Sequence, residues 1–169
     1  MKYVLVLLLV LVNAPVAAIE VTHFKSGLAC TNSAPAPGRD GWICQPTQDV
    51  LVTDQGSCVY DGVTQACTWI GYEFDYAHAG KHTKLACVTE TSKPTDLGNP
   101  GGVIAKQSTS QPFELELEGE SGHFYNPMYF TFSVTRPEDS VLVDTVTCKA
   151  DGMVLFQAKY TLHFPASGG

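Results

Sequence analysis

A disulfide-bonded, antiparallel β-sandwich is the fold class that the amino-acid sequence predicts, and three observations predict it. Apolar and polar residues alternate through segments such as IGYEFDY (70–76) and FELELEG (113–119), the period of a half-buried strand. Asp-Gly pairs at 61–62 and 151–152 stand between such segments, as tight hairpin turns require. Six cysteines are spread from Cys30 to Cys148, an even count with no two closer than nine residues. No convincing helical period follows the N-terminal region.

Taken in chain order, the first element is a targeting segment. Lys2 precedes an apolar run from Tyr3 to Val12, Asn13 and Pro15 break it, and Val16 and Ala18 place small residues before a cleavage point. This is the order of a secretory signal peptide over residues 1–18. The run is well short of the roughly 20 residues that span a bilayer. The chain is therefore expected to be exported, to the periplasm or the extracellular space, as one domain over residues 19–169. Without Lys2 the remainder holds nine basic and seventeen acidic residues and no basic cluster, which excludes the electrostatic footprint of a nucleic-acid binder. No later stretch is apolar for long enough to be a membrane span.

Short strand candidates follow at VTHFKSGL (21–28), GWICQ (41–45), DVLVT (49–53) and KLACVTE (84–90). In IGYEFDY, Ile70, Tyr72, Phe74 and Tyr76 share one face, and Gly71, Glu73 and Asp75 the other. In FELELEG, Phe113, Leu115 and Leu117 point inward and Glu114, Glu116 and Glu118 line a wet surface. Residues 93–112, rich in Gly, Pro and polar side chains, read as a long loop. In GHFYNPMYFTFSV (122–134), Phe124, Asn126, Met128, Phe130, Phe132 and Val134 form one face, with Phe130 and Phe132 expected in the core. Tyr125 and Tyr129 face away, and Pro127 demands an edge, a bulge or a strand start. Residues 141–164 read as two strands about Asp151-Gly152, and 166–169 as a flexible tail.

Eight to ten strands with frequent turns make the sandwich immunoglobulin-like in architecture, with a jelly roll or closed barrel as the alternative. The antibody signature itself does not fit. The segment between Cys30 and Trp42 is too rich in Pro and Gly for two ordinary strands, and Leu85 and Val146 stand where a tyrosine would precede Cys87 or Cys148.

The cysteines are too far apart for tight metal-binding pairs and read as a disulfide framework. Cys58 and Cys67 flank the Asp61-Gly62 turn, and Cys30 and Cys44 bracket a Pro/Gly loop. Cys87 and Cys148 are each central in a strand. The predicted bridges are 30–44, 58–67 and 87–148.

One cluster has metal-ligand chemistry, EFDYAHAGKHTK, with Glu73, Asp75, His78 and His82. Carboxylate and imidazole at a strand end suit a divalent transition metal. The competing reading, a solvated hairpin tip and no cofactor, is preferred because Gly80 argues against the helix that would put both histidines on one face. No nucleophile elbow is present, the glutamate row lacks two distinct environments, and GNPGGV (98–103) lacks the features of a phosphate loop. The leading expectation is thus a non-catalytic binding or structural module that recognises a protein or a cell-envelope component, such as an inhibitor, an adhesin-like or an envelope-interaction protein. Tyr125, Tyr129, Asn99, Val103 and Ile104 are its candidate contact residues, with the Pro-rich APAPG (34–38) as a further segment for a partner. A metal-binding protein or metal-dependent enzyme built on Glu73, Asp75, His78 and His82 is the alternative.

Overall fold

The computed structural model describes residues 18–31, 41–98, 102–131 and 141–164. Residues 1–17 of the segment expected as a signal peptide (1–18), the APAPG segment, Asn99, Phe132 and the expected 166–169 tail lie outside them. Among the described residues ten strands succeed one another: β1 (Glu20–Thr31), β2 (Gly41–Pro46), β3 (Asp49–Leu51), β4 (Gly56–Tyr60), β5 (Val63–Ala77), β6 (His82–Gly98), β7 (Ile104–Glu118), β8 (Gly122–Thr131), β9 (Val141–Ala150) and β10 (Met153–His163).

The strands form two sheets. In the first, β5 is central, pairing with β1 along Ile70–Ala77, with β8 along Cys67–Tyr76 and with β4 along Val63–Cys67. Cys67 is matched both to Gly56 and to Thr131, so β4 lies on the opposite side of β5 from β8, in line with β1. The second sheet runs β3-β10-β9-β6-β7. All its pairings are antiparallel except that of β3 with β10. Strands β1, β5 and β8 thus stand in one sheet and β6, β9 and β10 in the other, the division of strands A, B, E from C, F, G in an immunoglobulin-type sandwich.

The core between the sheets follows from the alternation. Ile70, Tyr72, Phe74 and Tyr76 of β5 meet Leu85, Leu117, Val146 and Tyr160 of the second sheet. Phe74 is surrounded by rings, with centroids 5.2 Å from Phe124 and 4.8 Å from Phe156. Phe124, Met128 and Phe130 of β8 pack against this core, as their face predicts. Glu114, Glu116 and Glu118 are exposed, and the first two have cross-strand partners: Lys84 Nζ lies 2.8 Å from Glu114 and the His82 imidazole 3.1 Å from Glu116.

All three predicted bridges are formed. None joins the two sheets. Cys30–Cys44 ties β1 to β2 and Cys58–Cys67 ties β4 to β5. Cys87–Cys148 joins residues directly opposite one another on β6 and β9, unlike the inter-sheet bridge of antibody domains.

The long loop expected at 93–112 is corrected. Residues up to Gly98 continue β6, and β7 begins at Ile104, so the segment is a hairpin arm with the pairs Thr95–Ser108, Leu97–Ala105 and Gly98–Ile104. Its polar composition hid it, because β9 covers β6 only as far as Thr91 and the arm beyond has no continuous apolar face. Bulges between Glu90 and Leu97 break the remaining alternation. The arm docks on the β4–β5 hairpin: Tyr60 donates its hydroxyl to Asp96, which also accepts the Gln107 N–H at 2.8 Å, and Lys106 meets Asp61 at 3.4 Å.

Candidate functional site

The outward face of the first sheet is built from odd-numbered residues of β5 and their partners. Trp69, Gly71, Glu73 and Asp75 lie opposite Tyr129, Pro127, Tyr125 and His123 of β8. On the other side, Lys25 is paired with Glu73, and the β1 bulge between Thr22 and Lys25 turns His23 into a left-handed conformation (φ 51°). Three strands therefore deliver a row of polar and aromatic side chains to one surface.

At one end, Asp75 is held between two imidazoles. His123 Nδ1 lies 2.8 Å from Oδ1 and His23 Nδ1 2.9 Å from Oδ2. The hydrogen bonds from His123 and then His23 hold this carboxyl below the usual carboxylate range. Next along β5, Glu73 is only 4% exposed, although it is on the outer face. The cover is the β1–β2 hairpin. Past the Leu28/Ala29 irregularity β2 lies over this face, and the Ile43 N–H donates to Glu73 Oε2 at 2.9 Å while Lys25 Nζ donates to Oε1 at 3.0 Å. His123 Nε2 stands 3.9 Å from the same carboxylate.

Farther along, β2 crosses Tyr125. A Cβ on Gly41 would lie 2.6 Å from the Tyr125 ring and 2.7 Å from the Cys30 carbonyl, so only glycine allows this approach. Burial, then the nearby Glu73 charge, pushes the Tyr125 phenol up. Tyr129 donates its hydroxyl to the Val59 carbonyl at 2.6 Å and packs edge-on against Trp69, with centroids 5.2 Å apart. Trp42, beside Gly41 on the covering strand, is 41% exposed while its neighbour Ile43 is buried beneath. The result is a fixed aromatic band with one open tryptophan.

The four residues expected to hold a metal are not brought together. Glu73 and Asp75 share this face. His78 follows β5 in a left-handed conformation, with Nε2 4.0 Å from Glu20, and His82 opens β6 in the other sheet beside Glu116. The chain changes sheets between them, which separates imidazoles that are neighbours in sequence. Among the described residues no group of three or more His, Cys, Asp or Glu side chains is placed to hold a metal ion. The imidazoles that do reach Asp75 are His23 and His123, 52 and 48 residues away. The face shared by His123 and Tyr125 was the available signal for one of them. His23 had none, because a bulge sets its direction.

Tyr125 and Tyr129 lie outward, as their alternation predicts, but neither is free: β2 covers the first and Val59 engages the second. Val103 is exposed before β7 and Ile104 is half-buried at its start, both on the β6–β7 arm of the second sheet. They are not part of the tyrosine face.

No protein-family model matches the chain, and no curated protein matches it significantly. Among solved structures, an immunoglobulin-like protein from Pseudomonas aeruginosa is similar at 13% identity, with a TM-score of 0.47 over 89% of this chain and 100% of that one. No helix among the described residues is long and apolar enough to cross a membrane.

Proposed function

We propose that this protein is an exported, non-catalytic recognition module that engages a protein or cell-envelope component through the outer face of its first sheet. The observation that carries this reading is the immobilised Trp69–Tyr129 pair on the face that also holds Tyr125, with the exposed Trp42 on the strand that crosses Tyr125. Aromatic side chains held in place offer large amphipathic area at little further loss of conformational freedom, which favours their use as contact anchors. Export is supported by the N-terminal segment and by three disulfides, which persist in oxidising compartments.

Immobilised protein exposed to envelope and culture extracts tests the proposal. Trp42→Ala and Tyr129→Ala are expected to lower capture of a specific component by about tenfold or more, as hot-spot aromatics do, while Lys84→Ala on the other sheet leaves it unchanged. Equal capture by all three variants would refute the assignment of this face.

A further inference from the structure

The most unusual side chain in the core is a carboxylate. Along β9, Leu142, Asp144, Val146, Cys148 and Ala150 share the inward face, and Asp144 is 1% exposed. Its register partners are Tyr160 on β10 and Thr91 on β6. Tyr72 of β5 faces it from the opposite sheet, close enough for the Asp144 charge to act on the Tyr72 phenol. Most hydrogen-bonding capacity here is already committed. Tyr160 donates across the core to the Gly71 carbonyl at 2.7 Å, and Thr91 donates to the Lys93 carbonyl at 3.0 Å. Asp144 receives a backbone hydrogen bond from Thr145. Two buried oxygens of this cluster have no hydrogen-bond partner among the described residues, Asp144 Oδ1 and the Tyr72 hydroxyl. Among the described residues no lysine, arginine or histidine acts on the Asp144 carboxylate.

We propose that the Tyr72–Asp144–Tyr160 cluster is a proton-dependent fastener between the two sheets, tight when Asp144 carries a proton and loosened when that proton is lost. An ionised carboxylate in this position has no counter-ion among the described residues and is cut off from water, which penalises the charged form. The protonated acid is uncharged and gains a donor, in a region where the Tyr72 oxygen is still able to accept. Burial accordingly pushes the Asp144 carboxyl up to about 7. Burial, then the Asp144 charge, pushes the Tyr72 phenol far above its ordinary value, and burial, then Tyr72 and Asp144, does the same to Tyr160.

The sign follows from linkage. Below the ordinary carboxylate value of 3.8 both folded and unfolded chains are protonated and no penalty exists. Between there and about 7 the unfolded chain releases the proton and the folded chain retains it, so stability falls as pH rises, and above about 7 the loss is complete. Asp75 and Asp96, both held low, act in the opposite sense only in acid.

Urea unfolding of the disulfide-intact full chain from pH 4 to pH 8.5, beside Asp144→Asn, tests the fastener. The folding constant of the natural chain relative to the variant is expected to fall by roughly 10³-fold across this range. A ratio that is flat or rises with pH overturns the proposal. Should Asp144→Asn not fold, ¹³C titration of the Asp144 carboxyl in the natural chain decides. A midpoint near neutrality supports the fastener, and an ordinary carboxylate midpoint overturns it.

Discussion

Glu73 ties three strands together, and replacing it tests how the covering hairpin is held. Its carboxylate is 4% exposed, with the Ile43 N–H at 2.9 Å on one oxygen and Lys25 Nζ at 3.0 Å on the other. The two partners are unequal. The Lys25 side chain is 51% exposed, so its ion pair is screened by water and contributes no more than about 1 kcal/mol. The Ile43 N–H is buried, and leaving it without an acceptor costs about 1–3 kcal/mol. Glu73→Ala should therefore lose about 3 kcal/mol and Lys25→Met about 0.5–1 kcal/mol. Glu73→Gln retains an acceptor oxygen for Ile43 and should fall between them. Urea unfolding followed by tryptophan fluorescence measures this: at a slope of about 2 kcal/mol/M, 3 kcal/mol displaces the midpoint by about 1.5 M. If Lys25→Met costs as much as Glu73→Ala, the ion pair and not the strand N–H secures the hairpin.

Removing each bridge as a Cys→Ala pair should rank by the loop it closes. The sequence separations of 61, 14 and 9 correspond to about 4.3, 3.0 and 2.7 kcal/mol for 87–148, 30–44 and 58–67. Thermal or urea unfolding gives the order, and a smaller loss for 87–148 than for 58–67 would contradict it. The docking of the β6–β7 arm should depend on acid. Asp96 is held low, first by the Tyr60 hydroxyl and then by the Gln107 N–H, so its contribution is present above the ordinary carboxylate value and is lost as pH falls through its lowered folded value. The stability difference between the natural chain and Tyr60→Phe should thus shrink on going from pH 6 to pH 3. A difference that stays constant would separate the arm's docking from the charge on Asp96.

What could be read from the sequence was whatever a period of two or a turn signal exposes. The faces of 70–76 and 113–119, both Asp-Gly turns and the bridges 30–44 and 58–67 follow from local spacing, 87–148 is the pair that remains, and the structure has them all. The β6–β7 arm escaped because Thr95, Ser108 and Gln111 pair as a ladder without an apolar stripe to announce it. Glu73 looked solvated by its alternation, yet it is buried, since the cover comes from a hairpin folding back from another part of the chain. The His23–Asp75–His123 row joins residues 52 and 48 positions apart and depends on a bulge. Asp144 was visible in principle: it falls on the same alternation as Leu142, Val146 and Cys148, where a carboxylate contradicts the pattern.

The edges of the sandwich bear on the proposed recognition surface. A bare strand edge could bind a partner by adding a strand, with no use of the aromatic face. That route needs a run of backbone donors and acceptors directed outward, and proline removes a donor from such a run. Each longer edge strand carries one: Pro46 in β2, Pro112 in β7 and Pro127 in β8. The two edge strands without proline, β3 and β4, are 3 and 5 residues long. Pro127 sits midway between Tyr125 and Tyr129, so the residue that weakens the β8 edge for pairing also stands within the aromatic band. Strand addition is discouraged where side-chain contact is best provided, which makes the face, and not the edge, the surface whose mutation should matter.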